Sequence, residues 1–151
     1  HIILRTAWVF GEHGNNFVKT MIRLGRTKDA LGIVADQHGS PTYAGDIAKA
    51  LITIAGIYNN SGELPWGIYH YAGAPHTTWY DFAQAIFQQV EASGIYGKPV
   101  PALSAITTAD YPTPAKRPAN SRLDCKKIED AFGISPSDWQ TALNNIRAYA
   151  G

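Results

Sequence analysis

The chain has one cysteine, Cys125, so it cannot form an internal disulfide, and it reads as a protein of a reducing, cytoplasmic compartment. It has no excess of either charge. Thirteen Lys and Arg face twelve Asp and Glu, a formal net charge of +1, which gives no reason to expect nucleic acid or a membrane surface as partner. No apolar run approaches the roughly 20 residues that cross a bilayer, and no charged-then-apolar leader opens the sequence. The five histidines are scattered without metal-ligand spacing, and no carboxylates cluster, so no metal is expected.

Two motifs of nicotinamide enzymes are also missing. A dinucleotide fold needs a glycine-rich turn so that the backbone can approach a pyrophosphate. Gly11 and Gly14 have that spacing, but position 17 is Phe. A Tyr-x-x-x-Lys pair, in which lysine lowers the tyrosine pKa for proton transfer, is absent as well. Tyr111 comes nearest, with Lys116 five residues on. No catalytic and no cofactor-binding residue is therefore assigned, and the chain alone is expected to be inactive in hydride transfer.

What is present is a globular composition, 45% hydrophobic and 17% charged over 151 residues, enough for one domain with a real core. Residues 2–9 read as a buried strand. The chain opens at His1 just before it, which reads as a piece of a longer protein whose late sheet strand begins here. The free edge of that strand is expected to promote self-association. The turn at 11–16 leads into a helix capped by Asn15 or Asn16, with Phe17, Met21 and Leu24 on one stripe. A short strand is expected at 32–36. Gly39-Ser40-Pro41-Thr42 is a turn before a helix at 44–58, whose stripe is Ile47, Ala48, Leu51, Ile54 and Ala55. A strand at 67–71 precedes a helix capped by Thr77 or Thr78 and running to Ser93, with Phe82, Ala83, Ile86, Phe87 and Val90 on one face. The proline-rich stretch 95–120 reads as a long functional loop with a short strand near 101–105. Ser121–Asp124 reads as extended, and Lys126–Phe132 and Ser137–Tyr149 as the last helices. The alternation predicts an α/β fold: one late Rossmann strand, then a small mixed α/β substrate domain.

Five segments in order resemble the C-terminal half of the dTDP-4-dehydrorhamnose reductase family, which are extended short-chain dehydrogenases. They are Arg5-Thr6-Ala7-Trp8-Val9-Phe10-Gly11, Gly14-Asn15-Asn16-Phe17-Val18-Lys19-Thr20-Met21, Asp36-Gln37-His38-Gly39-Ser40-Pro41-Thr42, Thr77-Thr78-Trp79-Tyr80-Asp81-Phe82-Ala83, and Tyr111 through Leu123. The resemblance implies a parent enzyme that reduces dTDP-4-dehydro-L-rhamnose to dTDP-L-rhamnose with NADPH or NADH, for bacterial surface polysaccharide such as lipopolysaccharide O-antigen. This half would hold the dTDP-sugar. Two other readings stand beside it: a non-catalytic interaction subunit of the same superfamily, and a nucleotide-sugar epimerase or dehydratase.

Eight residues form the expected substrate-binding set. Trp8 lies at the C-terminal end of a strand, where its indole can pack on a sugar face; the plainer alternative is a core tryptophan. Asn15 and Asn16 open a helix whose free N–H groups attract an anion, or merely cap it. Gln37 and Thr42 either hydrogen-bond the sugar or fix the Gly39 turn. Arg117 and Arg122 suit a diphosphate, with Asn120 between them, unless they are solvated surface groups.

Overall fold

The computed structural model describes residues 1–151. Apolar, β-branched segments form short, mostly parallel pairs. β1 (Ile2–Arg5) is followed by β2 (Val9–Phe10), α1 (Phe17–Gly25), β3 (Ala30–Val34), β4 (His38–Gly39), β5 (Thr42–Tyr43) and α2 (Ala44–Ser61). Then come β6 (Gly67–His70), β7 (Gly73–Ala74), β8 (Thr77–Thr78), α3 (Trp79–Ser93), β9 (Ala102–Ile106), α4 (Lys126–Phe132), β10 (Ser137–Asp138) and α5 (Trp139–Leu143). β1 pairs with β6, β2 with β5, β3 with β9 and β7 with β10, all parallel, while β4 and β8 are antiparallel. The mixed α/β class agrees with the sequence. β1 has one partner strand, and its other edge is unpaired.

The expected strand at 2–9 is broken. After Arg5 the chain leaves β6, and Trp8 takes a φ of +47° before Val9–Phe10 pairs with a different partner, β5. A tryptophan in the left-handed region is strained by roughly 1–3 kcal/mol, so its surroundings must hold it there. The expected strand at 32–36 lies at Ala30–Val34, because Asp36 leaves the ladder to accept hydrogen bonds from Thr108. Ser121–Asp124 forms no strand; Asn120, just before it, makes an isolated bridge to His38, and Ser121 donates from its N–H to the His38 carbonyl. The expected single last helix splits into β10, α5 and a 3₁₀ turn at Ile146–Tyr149. Asp138 caps α5 by accepting from the Thr141 N–H at 3.0 Å. Trp139, Leu143, Ile146 and Tyr149 are buried nonetheless, so the apolar spacing holds although the helix is not continuous.

Two cores result. The larger sets Val18, Met21 and Ile22 of α1 against Phe82, Ile86 and Val90 of α3, closed by Leu143, Ile146 and Tyr149. The five residues expected on one face of α3 are all buried, and Thr78 is its cap. The smaller core lies between α2, β6 and α4, built on Ile54, Tyr69, Tyr71 and Ile128. The stripe expected on α2 holds only in part: Ile54 is buried and Ile47 half-buried, but Ala48 and Ala55 are exposed and Leu51 is 49% exposed, while Ala50, outside that stripe, is buried. No helix is long and apolar enough to cross a membrane.

Candidate functional site

Three consecutive residues, His38-Gly39-Ser40, organise the surface where most of the expected site residues meet. His38 grips the segment before Arg122: its N–H donates to the Ala119 carbonyl at 2.8 Å, and its carbonyl accepts from Ser121 N–H at 2.9 Å. Gly39 lies against the Trp8 indole. A Cβ at Gly39 would sit 2.2 Å from Trp8 Cε2, so only glycine admits the ring. The Ser40 hydroxyl lies 2.7 Å from His76 Nδ1.

Trp8 is half-buried and stacks on Trp79, with ring centroids 3.5 Å apart and planes 12° from parallel. Phe17 packs 4.6 Å from Trp79 and 5.5 Å from Phe82, so the shelf of rings is anchored in the main core. Aromatic pairs contribute about 0.5–1.5 kcal/mol beyond burial, enough to offset much of the strain at Trp8. The shelf also brings in the start of α1. Asn16 is its cap, accepting from Lys19 N–H at 3.1 Å and donating to the Gly11 carbonyl at 2.7 Å. Asn15 is exposed.

Asn120 Oδ1 accepts from both the backbone N–H and Nε of Arg122, at 3.1 and 3.0 Å. This fixes one edge of the guanidinium. Asn120 and Arg122 line a cleft of about 530 Å³ with His76, Asp124, Lys126 and Glu129. Trp8 and Arg117 are not among its lining residues, and Arg117 is exposed. Of the expected set, Trp8 and Asn16 thus lie at an aromatic shelf and Asn120 and Arg122 in a polar cleft, the two joined through His38-Gly39-Ser40, while Asn15 and Arg117 are exposed and line neither.

Two expected contacts serve the scaffold instead. Thr42 is fully buried. Its hydroxyl donates to the Ala7 carbonyl at 2.7 Å and accepts from Gly73 N–H at 3.2 Å, and its complete burial keeps it from the surface. Gln37 is 8% exposed and donates from Nε2 to Thr108 Oγ1 at 3.1 Å, tying the site to the turn after β9. Of the two roles open to each, fixing the fold is the one this geometry supplies. Cys125 is buried with Sγ accepting from Ala72 N–H, and burial pushes its thiol pKa up.

Ser40, His76 and Trp79 escape a reading of the sequence as a group. Ser40 and His76 are 36 residues apart, and no spacing rule links them. Trp79 looks from its position like a residue that packs the start of a helix; its one signal is that it is a second tryptophan at the mouth of an α/β fold. No three His, Cys, Asp or Glu side chains gather as a metal site.

Behind the shelf, the Tyr43 hydroxyl donates to Glu12 Oε1 at 2.6 Å. This bond holds the Glu12 carboxyl below its ordinary range and pushes Tyr43 up to about 12. Its stabilisation is complete between the ordinary glutamate and tyrosine pKa values. It fades as pH falls through the depressed Glu12 value and as pH rises toward about 12. Tyr43→Phe is expected to lower stability near pH 7 by roughly 1 kcal/mol, discounted for exposure, with less effect at either extreme. Urea unfolding from pH 3 to 11 checks this; an equal loss at every pH contradicts it.

The RmlD substrate binding domain model matches residues 1–150. A dTDP-4-dehydrorhamnose reductase of Aggregatibacter actinomycetemcomitans is 62% identical over 149 residues, 99% of this chain and 50% of that protein. The crystal structure of a dTDP-4-dehydrorhamnose reductase from Clostridium acetobutylicum superposes with TM-score 0.81 at 37% identity, covering 97% of this chain and 47% of that one. One from Bacillus anthracis, solved in complex with NADP, gives TM-score 0.75 at 30% identity, with the same shares of 97% and 47%. The chain spans about half the length of the curated relatives it matches. Matched in this way over nearly all its residues, the chain belongs to the RmlD substrate binding domain family.

Proposed function

We propose that this chain is the sugar-nucleotide-binding part of a dTDP-4-dehydrorhamnose reductase, and that the whole enzyme reduces dTDP-4-dehydro-L-rhamnose at C4 to dTDP-L-rhamnose with NADPH or NADH. The observation that carries this reading is the 62% identity, over 99% of the chain, to a relative of that name. The geometry supports it. A half-exposed aromatic shelf suits a thymine or hexose face, and a pinned arginine in a polar cleft suits a diphosphate.

The residues of this chain do not fit the nicotinamide cofactor. The loop before α1 carries Gly11 and Gly14 but continues with Phe17, which is packed into the core cluster. What this half supplies is orientation: Trp8 and Trp79 fix the plane of one ring of the substrate, and Arg122 fixes the charge beyond it. Holding a substrate in one geometry is itself a large part of catalysis.

Isothermal titration of the 151-residue chain with dTDP-L-rhamnose tests the reading. Binding is expected with a Kd on the order of 1 mM or tighter, about −4 kcal/mol. Trp8→Ala is expected to weaken it by about tenfold. No heat of binding at several times that concentration overturns the proposal.

A further inference from the structure

Ser40 is fully buried, and its hydroxyl has one hydrogen-bond partner, His76 Nδ1 at 2.7 Å. A buried hydroxyl proton needs an acceptor. Nδ1 is the acceptor within reach, so the neutral imidazole carries its proton on Nε2. Ser40 thus holds one edge of an otherwise exposed ring and leaves the Nε2–H as a donor. His76 lines the cleft that also holds Arg122. Arg122 is arranged by the same logic: Asn120 Oδ1 takes its Nε–H and backbone N–H and leaves both terminal NH2 groups uncommitted. Two donors in one cleft are each pinned at one edge by a neighbour.

The rest of the lining narrows the ligand. Lys126 adds a cation, already paired with Asp130 at 2.9 Å. Asp124 and Glu129 also line the cleft. Carboxylates accept from hydroxyl groups and repel a bare polyanion. The mixed lining therefore favours a molecule that carries phosphate at one end and hydroxyls at the other over a free phosphate alone.

We propose that His76 and Arg122 form a two-donor clamp for the phosphoryl oxygens of a sugar diphosphate, with Ser40 as the positioning residue for His76. The proposal rests on the nucleotide-sugar reading above, and it names a contact, His76, that the expected substrate-binding set did not contain. The clamp fixes the diphosphate, while the hexose hydroxyls face Asp124 and Glu129.

The test is NMR of the 151-residue chain with ¹⁵N-labelled histidine and arginine side chains, titrated separately with dTDP and with inorganic pyrophosphate. Before ligand, His76 is expected as the Nε2–H tautomer, and Ser40→Ala should give a mixture of tautomers. With dTDP, the His76 Nε2 and Arg122 Nε resonances should move together. His76→Gln, at an exposed position that spares the core, should weaken dTDP about fivefold, and Arg122→Lys about tenfold. Ser40→Ala should weaken it about threefold, and this loss should vanish in a His76→Gln background. A loss of the same size in that background overturns the positioning role. If dTDP shifts Trp8 and Trp79 but leaves His76 and Arg122 unmoved, the clamp is overturned and the nucleotide reading stands. If pyrophosphate moves His76 and Arg122 while dTDP moves nothing, the clamp is supported and the nucleotide reading fails. If neither ligand moves them at about tenfold above a millimolar Kd, the clamp is overturned.

Discussion

Gly73→Ala is expected to destabilise the fold by at least about 3 kcal/mol, near the upper end of what overpacking does. A Cβ at this position would fall 1.7 Å from the Pro41 carbonyl oxygen and 2.9 Å from its carbon. Those are backbone atoms, which cannot rotate aside as the end of a side chain can. Gly73 also pairs in β7 with Ser137 and donates its N–H to Thr42. Thr42 in turn holds Ala7, beside the strained Trp8. A shift at Gly73 therefore propagates to the shelf and to the cleft it lines. Gly56 is the matched control. It lies inside α2 with nothing within 4 Å of a Cβ, so Gly56→Ala is expected to raise stability by about 0.5–1 kcal/mol. Urea unfolding of the two variants should separate them by several kcal/mol; similar midpoints would contradict the close approach at Gly73.

Phe82→Ala is expected to cost about 3–5 kcal/mol, the range for deleting a fully buried aromatic ring. The Phe82 ring lies 5.5 Å from both Phe10 and Phe17 and 5.3 Å from Trp139, so its loss leaves a cavity where α1, α3 and α5 meet. At the lower end of ordinary stability, about 5 kcal/mol, either this variant or Gly73→Ala leaves little margin. Phe82→Ala should also weaken nucleotide binding in whatever fraction remains folded, because Phe17 loses its support beneath Trp79. Ile52→Ala offers the contrast: Ile52 is 73% exposed, and its removal should change stability by less than about 0.5 kcal/mol. Comparable losses for the two would mean that the α1–α3 interface is not the main core.

The fold is legible in the sequence where periodicity is a local consequence of burial. The α3 face of Phe82, Ala83, Ile86, Phe87 and Val90 repeats at helical spacing because one side of one helix meets one core. The caps are legible to within one residue, Asn15 or Asn16 and Thr77 or Thr78, because a short side-chain oxygen at a helix start has one common task, and the structure selects Asn16 and Thr78. The break at Trp8 is not legible. The run from Ile2 to Val9 is mostly apolar, and nothing local shows that β1 and β2 have different partners. The last helix misleads for a related reason: an α-helix and a shorter helix followed by a 3₁₀ turn bury the same spacing of residues.

The site divides along the same line. Trp8, Asn120 and Arg122 stand out in the sequence through motif order, and the structure sets Trp8 against Gly39 and ties Arg122 through Asn120 to His38, while Asn16 stays at the start of α1. Thr42 and Gln37 resemble ligand contacts because threonine and glutamine beside a glycine turn serve either role. Only burial separates the roles, and burial depends on Ala7, Gly73 and Thr108, which lie far away in sequence. The Ser40–His76 pair carries no sequence signal, since its meaning comes wholly from a contact across 36 residues.

A crystal of this chain grown with dTDP puts the central idea to its hardest trial. Pyrimidine density is expected against the Trp8–Trp79–Phe17 rings, and diphosphate density within hydrogen-bond reach of Arg122. A well-ordered nucleotide seated elsewhere, with those rings and that guanidinium untouched, would contradict it.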